Sequence, residues 1–499
     1  MTAITALLFA NYRARRAAES HAEEAALREQ AEKSLARAES AEREARRQLN
    51  AALYEQARAL VLSKDLGHRG GALDAIRRAA GATNVAELRR VAFAALGLPD
   101  LGLEREIVLP PQLTLCQLDP KFERIVLCRG SEAATVCSIP DLQVLATLPA
   151  STNKEAYDAR WSSDGRFLGL KRQYDDENSR SDLEVWNVGP TQLLAAVHRD
   201  IAYNSFTFHP QRPLLMTGQI GGSVTVWDLE TSKELRAFRL ADTAHALAYS
   251  PDGGRFAASY ARGSNWVVAF HDATTGAVLS TVECPESVEH IVWHPHGRWI
   301  SGEGAFATEW NRGVRLISPE GGATTVLGRH KIKTATVEFT PDGDYLMSGG
   351  WEHEMFCWDL RTQQRVFTFA GAGYSQNWRA DTEQCALLLP DARLQFYAFE
   401  RPVCLELGGN VGEGVRPGAF SPDGRWLAVP DNQNLCVWDL ACSARPTLLP
   451  QAASFQPFFS SDSSELFAVG GPIEGARLHG WRLASGSNAV AQPQLNTTS

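Results

Sequence analysis

Several things that would announce a chemistry are missing from this 499-residue sequence. No apolar run is long enough to cross a bilayer as a helix, which takes about 20 residues; the one at the start, Thr2–Tyr12, stops at Arg13. The nine cysteines are an odd number, form no C-x-x-C and have no framework spacing, which argues against a disulfide-built secreted domain. Most of them lie in apolar runs and read as free, buried small residues. No H-E-x-x-H, G-x-S-x-G or G-x-x-x-x-G-K-[ST] is present, so no zinc protease, hydrolase or phosphate-loop outline exists. Positive charge is also scarce. Residues 1–100 hold 16 Lys/Arg against 13 Asp/Glu, leaving 33 against 45 for the remainder of a chain whose net charge is −9. An acidic body of that kind gives no reason to expect nucleic-acid binding.

From Ala14 to Leu62 there is neither Gly nor Pro, and the stretch is rich in Ala, Glu, Arg and Leu, which predicts one long helix. Glu24/Arg28, Glu29/Lys33, Glu39/Arg43 and Glu42/Arg46 stand at i,i+4 in the favourable order. A 3-4 spacing runs through Ala31, Leu35, Ala38, Ala45, Leu49, Ala52 and Ala59, with Glu42 and Gln56 on the seam. It predicts either a weak homodimer or a solvated stalk. Residues 1–16 have two readings: the closing end of a membrane span with its basic flank, or the frayed apolar start of a helix. The corresponding location is cytoplasmic or membrane-associated. Gly67–Gly71 breaks the helix, and a helical pair follows within 63–102: one helix from about Ala72 to Ala80, another from Asn84 to Gly97. The face of Val85, Leu88, Ala92, Ala95 and Leu96 needs cover, which Leu53, Leu60 and Val61 are placed to supply.

After Pro99 the apolar period changes from 3.6 to 2 and stays there. Nine strand-turn-strand-turn-strand copies follow at intervals of about 40 residues. Their first turns include Trp161-Ser162-Ser163-Asp164-Gly165, Tyr249-Ser250-Pro251-Asp252-Gly253, Phe339-Thr340-Pro341-Asp342-Gly343 and Phe420-Ser421-Pro422-Asp423-Gly424. Pro sets φ at the first corner, and Asp and Gly accept the rest of the turn. Their third strands end at Val136, Trp186, Trp227, Phe270, Leu316, Trp358, Phe396, Trp438 and Trp481, bulky residues suited to the space between neighbouring sheets. The fold class is therefore mainly β, a single large domain over 103–484, with 485–499 a polar tail expected to be disordered.

Three copies carry Trp-Asp-Leu, at 227–229, 358–360 and 438–440, and the whole resembles the WD-repeat (WD40) family of β-propellers. That resemblance implies a propeller of seven to nine blades. It also implies a buried polar network in each blade, for which Gly328-Arg329-His330 is the closest echo here, while turns such as Gly221-Gly222 replace the expected Asp. Propellers of this kind close by lending a terminal strand to the last blade. Leu103–Leu109 is expected to be the outer strand of the ninth copy, whose own third strand is followed by Ser-, Asn- and Gln-rich sequence. A narrower likeness, in Leu53-Tyr54-Glu55-Gln56-Ala57-Arg58-Ala59-Leu60, the helical pair and Ala95-Leu96-Gly97-Leu98-Pro99-Asp100-Leu101, is to the sensor half of bacterial WD-repeat serine/threonine kinases.

No catalytic, cofactor or metal site is expected. His198-Arg199-Asp200 copies the start of a kinase catalytic loop, but the metal-binding Asn due at 205 is Ser205 and no companion motif is present. His290, His294 and His296 fall across a turn and read as turn substitutions, as does His353 between Glu352 and Glu354; a channel enzyme built on them is a third reading. The first reading is a non-catalytic scaffold that binds a protein or peptide. Its loops at 171–182, 260–266, 302–313 and 351–354 supply the candidate contacts Asp175, Asp176, Glu177, Arg262, Asn265, Glu303, Trp310, Trp351 and His353. The second reading is the sensory segment of a truncated membrane kinase.

Overall fold

A computed structural model describes the chain except residues 1, 80–84, 152, 175–180, 190–192, 305–306, 323, 372–374, 380, 404–417, 431–433, 441–445, 451–456, 471–476 and 484–499. The polar tail, Asp175, Asp176 and Glu177 lie outside the described residues. The chain divides into two compact units, Met1–Leu98 and Pro99–Ser499.

In the first unit, helix α1 runs unbroken from Thr2 to Ser63, about 90 Å at 1.5 Å per residue. Expected surface pairs form at Glu24–Arg28 (2.8 Å) and Glu29–Lys33 (2.5 Å). The other two helices are α2 (His68–Ala79) and α3 (Val85–Leu96), and Leu53, Ala57, Ala75, Ala79, Leu88 and Val91 form the core between the three. The break differs from the expected Gly67–Gly71. Gly67 turns the chain with φ +80°, and α2 starts at once, so Gly70 and Gly71 are helical. A side chain at 71 would press on Leu60, 3.1 Å from its Cδ1, so glycine here permits close helix approach. No described helix is long and apolar enough to cross a membrane.

The second unit is a succession of antiparallel sheets built from an inner, a second, a third and an outer strand, except that the last has three strands among the described residues. The first four comprise 115–148, 154–198, 201–239 and 244–284. The fifth is two strand pairs, His290–Trp293 with Ile300–Glu303 and Gly313–Leu316 with Thr325–Arg329, joined by the Ile300–Ile317 bridge. The sixth spans 334–370 and the seventh 375–400. Two further sheets occupy 419–450 and 458–482. Third-strand bulky residues lie where expected: Phe270 and Phe396 are fully buried, and Trp358 and Trp438 nearly so. The cysteines among the described residues are free, and all but Cys116 are buried.

The closure differs from the expectation. The strand Asp100–Val108 pairs antiparallel with Arg393–Glu400 and so completes the seventh sheet, not the ninth. Apolar clusters then link the sheets in a circuit. Val136 and Leu148 of the first meet Leu168 and Trp186 of the second; Leu183 meets Phe206; Met216 and Val226 meet Phe256; Phe270 meets Trp293; Leu316 meets Phe339. The sixth meets the seventh through Tyr345 and Phe399, with ring centroids 4.9 Å apart. The seventh returns to the first through Leu394 and Phe396 against Leu118, Ile125 and Leu127. Seven sheets therefore close a ring. The two surplus sheets pack on each other through Trp426, Val437, Leu466 and Trp481.

Candidate functional site

The inner strands line the ring's channel, and their alternation decides what it contains. In Thr334–Phe339, Val337 and Phe339 enter the core between sheets, which turns Thr336 and Glu338 the other way. The same geometry brings Gln117, Asp158, Arg160, His290 and Asn377 to the channel. It holds two cavities that share Asp158, Arg160, His290 and Thr336. The larger, about 750 Å³, opens on the side of the turns between second and third strands and is rimmed by Tyr157, Glu303 and Trp351. The smaller, about 410 Å³, opens beside the first turns at Asp119, Trp161 and Trp378.

Arg160 pairs with Asp158 at 2.9 Å, donates to the Phe206 carbonyl at 2.6 Å and lies 4.5 Å from that ring's centroid. Burial pushes Glu338 up to about 8. Glu303 is also raised to about 8, first by burial, with the Lys333 ammonium opposing and Glu289 adding to the rise. His290 is pushed down to about 4 by burial and then by Arg160, and is neutral at physiological pH. Lys171 and Lys333 stand over the Tyr157 and Trp351 rings at 5.1 and 4.9 Å. Burial lowers Lys171 to about 8.

Of the residues predicted from sequence, Glu303 and Trp351 meet at the larger cavity. The other described ones, Arg262, Asn265, Trp310 and His353, do not line it. Arg262 and Asn265 face each other across a turn, with Arg262 paired to Glu283 at 3.0 Å. Trp310 is stacked by the Arg315 guanidinium at 3.8 Å, in a loop whose Thr308 and Asn311 both donate to Glu286. His353 sits at φ +60° and closes a turn by donating to Gly350. The histidine trio separates: His290 lines the channel, whereas His294 donates Nε2–H to the Gly343 carbonyl and accepts the His296 amide at Nδ1. Among the described residues no group of three or more His, Cys, Asp or Glu could hold a metal ion. His198 lies at a junction between sheets, its ring 4.6 Å from that of Trp227. Sequence reasoning missed Asp158, Arg160, His290 and Glu338 as channel residues; the signal was polar residues at alternate positions of an inner strand.

The sixth sheet holds a complete buried polar chain. Trp358 donates Nε1–H to Ser348 at 2.9 Å, Ser348 donates to His330 Nε2 at 2.9 Å, and His330 donates Nδ1–H to Glu352 at 2.7 Å. Glu352 also accepts the Lys331 and Ile332 amides. Burial holds His330 below its ordinary value. Glu stands where an Asp was expected, its extra methylene reaching the same ring. In the third sheet the bond from Trp227 to Thr217 survives at 3.0 Å, but His198 Nε2 has no partner.

Comparison with known proteins matches residues 323–359, ending at Trp358-Asp359, to the WD domain, G-beta repeat family. The serine-threonine kinase receptor-associated protein of Gallus gallus is 25% identical over 140 residues, 27% of this chain and 37% of that one. Protein HIR1 of Candida albicans is 30% identical over 117 residues, 22% of this chain and 12% of its own. The chain thus spans little more than a third of these relatives at most. Among solved structures, the Cps50 (Swd1) β-propeller domain of Myceliophteria thermophila superposes with a TM-score of 0.47 at 14% identity, covering 60% of this chain and 99% of that one. Residues 323–359 thus match a WD, G-beta repeat, and they lie in a closed circuit of antiparallel sheets, which is the architecture of a β-propeller.

Proposed function

We propose that this chain is a non-catalytic scaffold whose ring binds a protein or peptide at the mouth of the larger cavity. One observation carries the reading: Tyr157 and Trp351 are 55% and 49% exposed at the rim of a cavity built on rigid strands. Large aromatics held out to water beside a concavity are the side chains that anchor partners at low entropic cost. The relatives support a partner of this class, since the name of the Gallus gallus protein makes it receptor-associated. Capture with the full chain tests it. A retained protein should be lost on Trp351→Ala with the melting temperature unchanged, and retention undiminished by that change would count against this face.

A separate observation favours a second contact, between copies of α1. Leu27, Leu35 and Leu49 are 66%, 61% and 54% exposed, and the latter two share the heptad seam. Sedimentation should show a concentration-dependent dimer abolished by Leu35→Glu with Leu49→Glu; a monomer at all concentrations would refute it.

A further inference from the structure

The two surplus sheets pack on each other through one face each, and their other faces carry apolar side chains out to water. In the ring, the aromatic residue that ends an inner strand is covered by the sheet before it. Tyr249 lies against Met216 and Val226, Trp293 against Phe270, and Phe339 against Leu316, and all three are buried. Phe459 of the ninth sheet packs in the same way on Trp426 and Val437 of the eighth. Phe420 is their counterpart in the eighth sheet, and it is 64% exposed. Its cross-strand partner Leu427 is only half-buried. Leu215, Phe256 and Leu346, the corresponding partners of Phe208, Tyr249 and Phe339, are fully buried. The far face of the ninth sheet is similarly open. Phe458 is 50% exposed and stacks at 5.3 Å on Phe467, its half-buried cross-strand partner. In the eighth sheet the residue corresponding to Phe467 is Ala428, which the ninth sheet buries completely.

We infer that these two open faces cover each other between copies of this chain, the eighth sheet of one copy receiving the ninth sheet of the next. Two observations select a second copy as the occupant. The faces are the two halves of a contact the chain already makes: Phe420 stands where Phe459 receives the eighth sheet, and Phe467 stands where Ala428 meets the ninth. Within one copy they cannot meet, because they look away from each other across the packed pair. The contact is therefore head-to-tail, and each added copy leaves one open face at either end until the series closes. In the seven-sheet ring one sheet takes about 51° of the turn, so a pair takes about 100°, and three or four copies close a second ring. This contact is independent of the one between copies of α1 and of the aromatic rim at the larger cavity.

The test uses the full chain carrying Leu35→Glu and Leu49→Glu, which remove the contact between copies of α1. Sedimentation velocity on this parent should show assemblies of three or four copies. Phe420→Glu alone and Phe458→Glu alone should each return it to monomer, with the melting temperature unchanged because both rings stand in water. Should Phe420→Glu fail to fold, Phe420→Ser takes its place. An equimolar mixture of the two single variants should sediment as a dimer, since each keeps the face that the other has lost and one junction can form. A parent that is monomeric at every concentration, an assembly that survives both substitutions, or a mixture that stays monomeric would overturn the inference.

Discussion

At the scale of single residues, the glycine of a first turn is tied to the next sheet's neighbour by lack of space. Gly343 has φ +79°, and a Cβ there would lie 2.5 Å from the His294 ring, which already bonds the Gly343 carbonyl. Gly343→Ala should therefore cost roughly 2–4 kcal/mol in urea unfolding, from strain and overpacking together. Ser348 sits in the middle of the polar chain of the sixth sheet, so Ser348→Ala orphans both the Trp358 N–H and His330 Nε2. We expect a loss of about 1–3 kcal/mol, against about 1 for Thr217→Ala, where a single bond is removed. The channel carboxyls have the opposite character. The folded chain raises Glu338 from 4.5 to about 8, so its favourable contribution is complete below pH 4.5 and is lost as pH rises through 8. Glu338→Gln should be more stable than the parent at pH 9 by about 1–2 kcal/mol and level with it at pH 4, as read from melting curves. The turn aspartates run the other way. Hydrogen bonds from Ser460 and Ser464 hold Asp462 down to about 2, so what it contributes is present above its ordinary value of 3.8 and lost as pH falls through 2.

At the scale of elements, local chemistry was legible and pairing was not. The Ser-Pro-Asp-Gly turns form as their residues require: Ser250 donates to Asp252, which accepts the Gly254 amide, and Ser421 with Asp423 and Arg425 repeats the pattern. The long helix follows equally from Ala, Glu, Arg and Leu without a breaker. The start of the next helix was misplaced because Gly70 and Gly71 are poor helix residues taken alone, and it is the close approach of Gly71 to Leu60 that favours glycine there. The closing strand makes the same point more strongly. Its alternation marks Asp100–Val108 as an outer strand, but every sheet edge offers the same backbone groups. What selects the seventh sheet is side-chain fit across that edge: Arg105 lies 4.1 Å from the Phe396 ring centroid, and Glu106 accepts from Arg393 and Gln395. Phe396→Ala should cost about 3–5 kcal/mol and raise hydrogen exchange across 115–128 as well as 384–400, since this ring packs on both the seventh and first sheets. Trp481→Ala, the matching position of the ninth copy, should leave exchange in those segments unchanged.

At the scale of the whole molecule, the seven-sheet circuit is complete without residues 419–482. A chain ended after Arg401 should keep one cooperative thermal transition and slow exchange in 100–400. A nine-blade ring would be opened by that cut, and loss of the transition would show that the surplus sheets belong to the circuit. The sequence alone determined the elements and their order, because turn geometry, strand alternation and helix continuity depend on residues close together along the chain. It also pointed to Glu303 and Trp351 as loop residues, although Glu303 ends the strand Ile300–Glu303 and is partly buried. Only the tertiary structure decided that the circuit closes at the seventh sheet, that Glu303 and Trp351 share one cavity while Arg262, Trp310 and His353 do not, and that Glu338 faces a channel. The reason is physical: edges and channel walls are made by strands from distant parts of the chain, and their chemistry becomes selective only when packing brings particular side chains together.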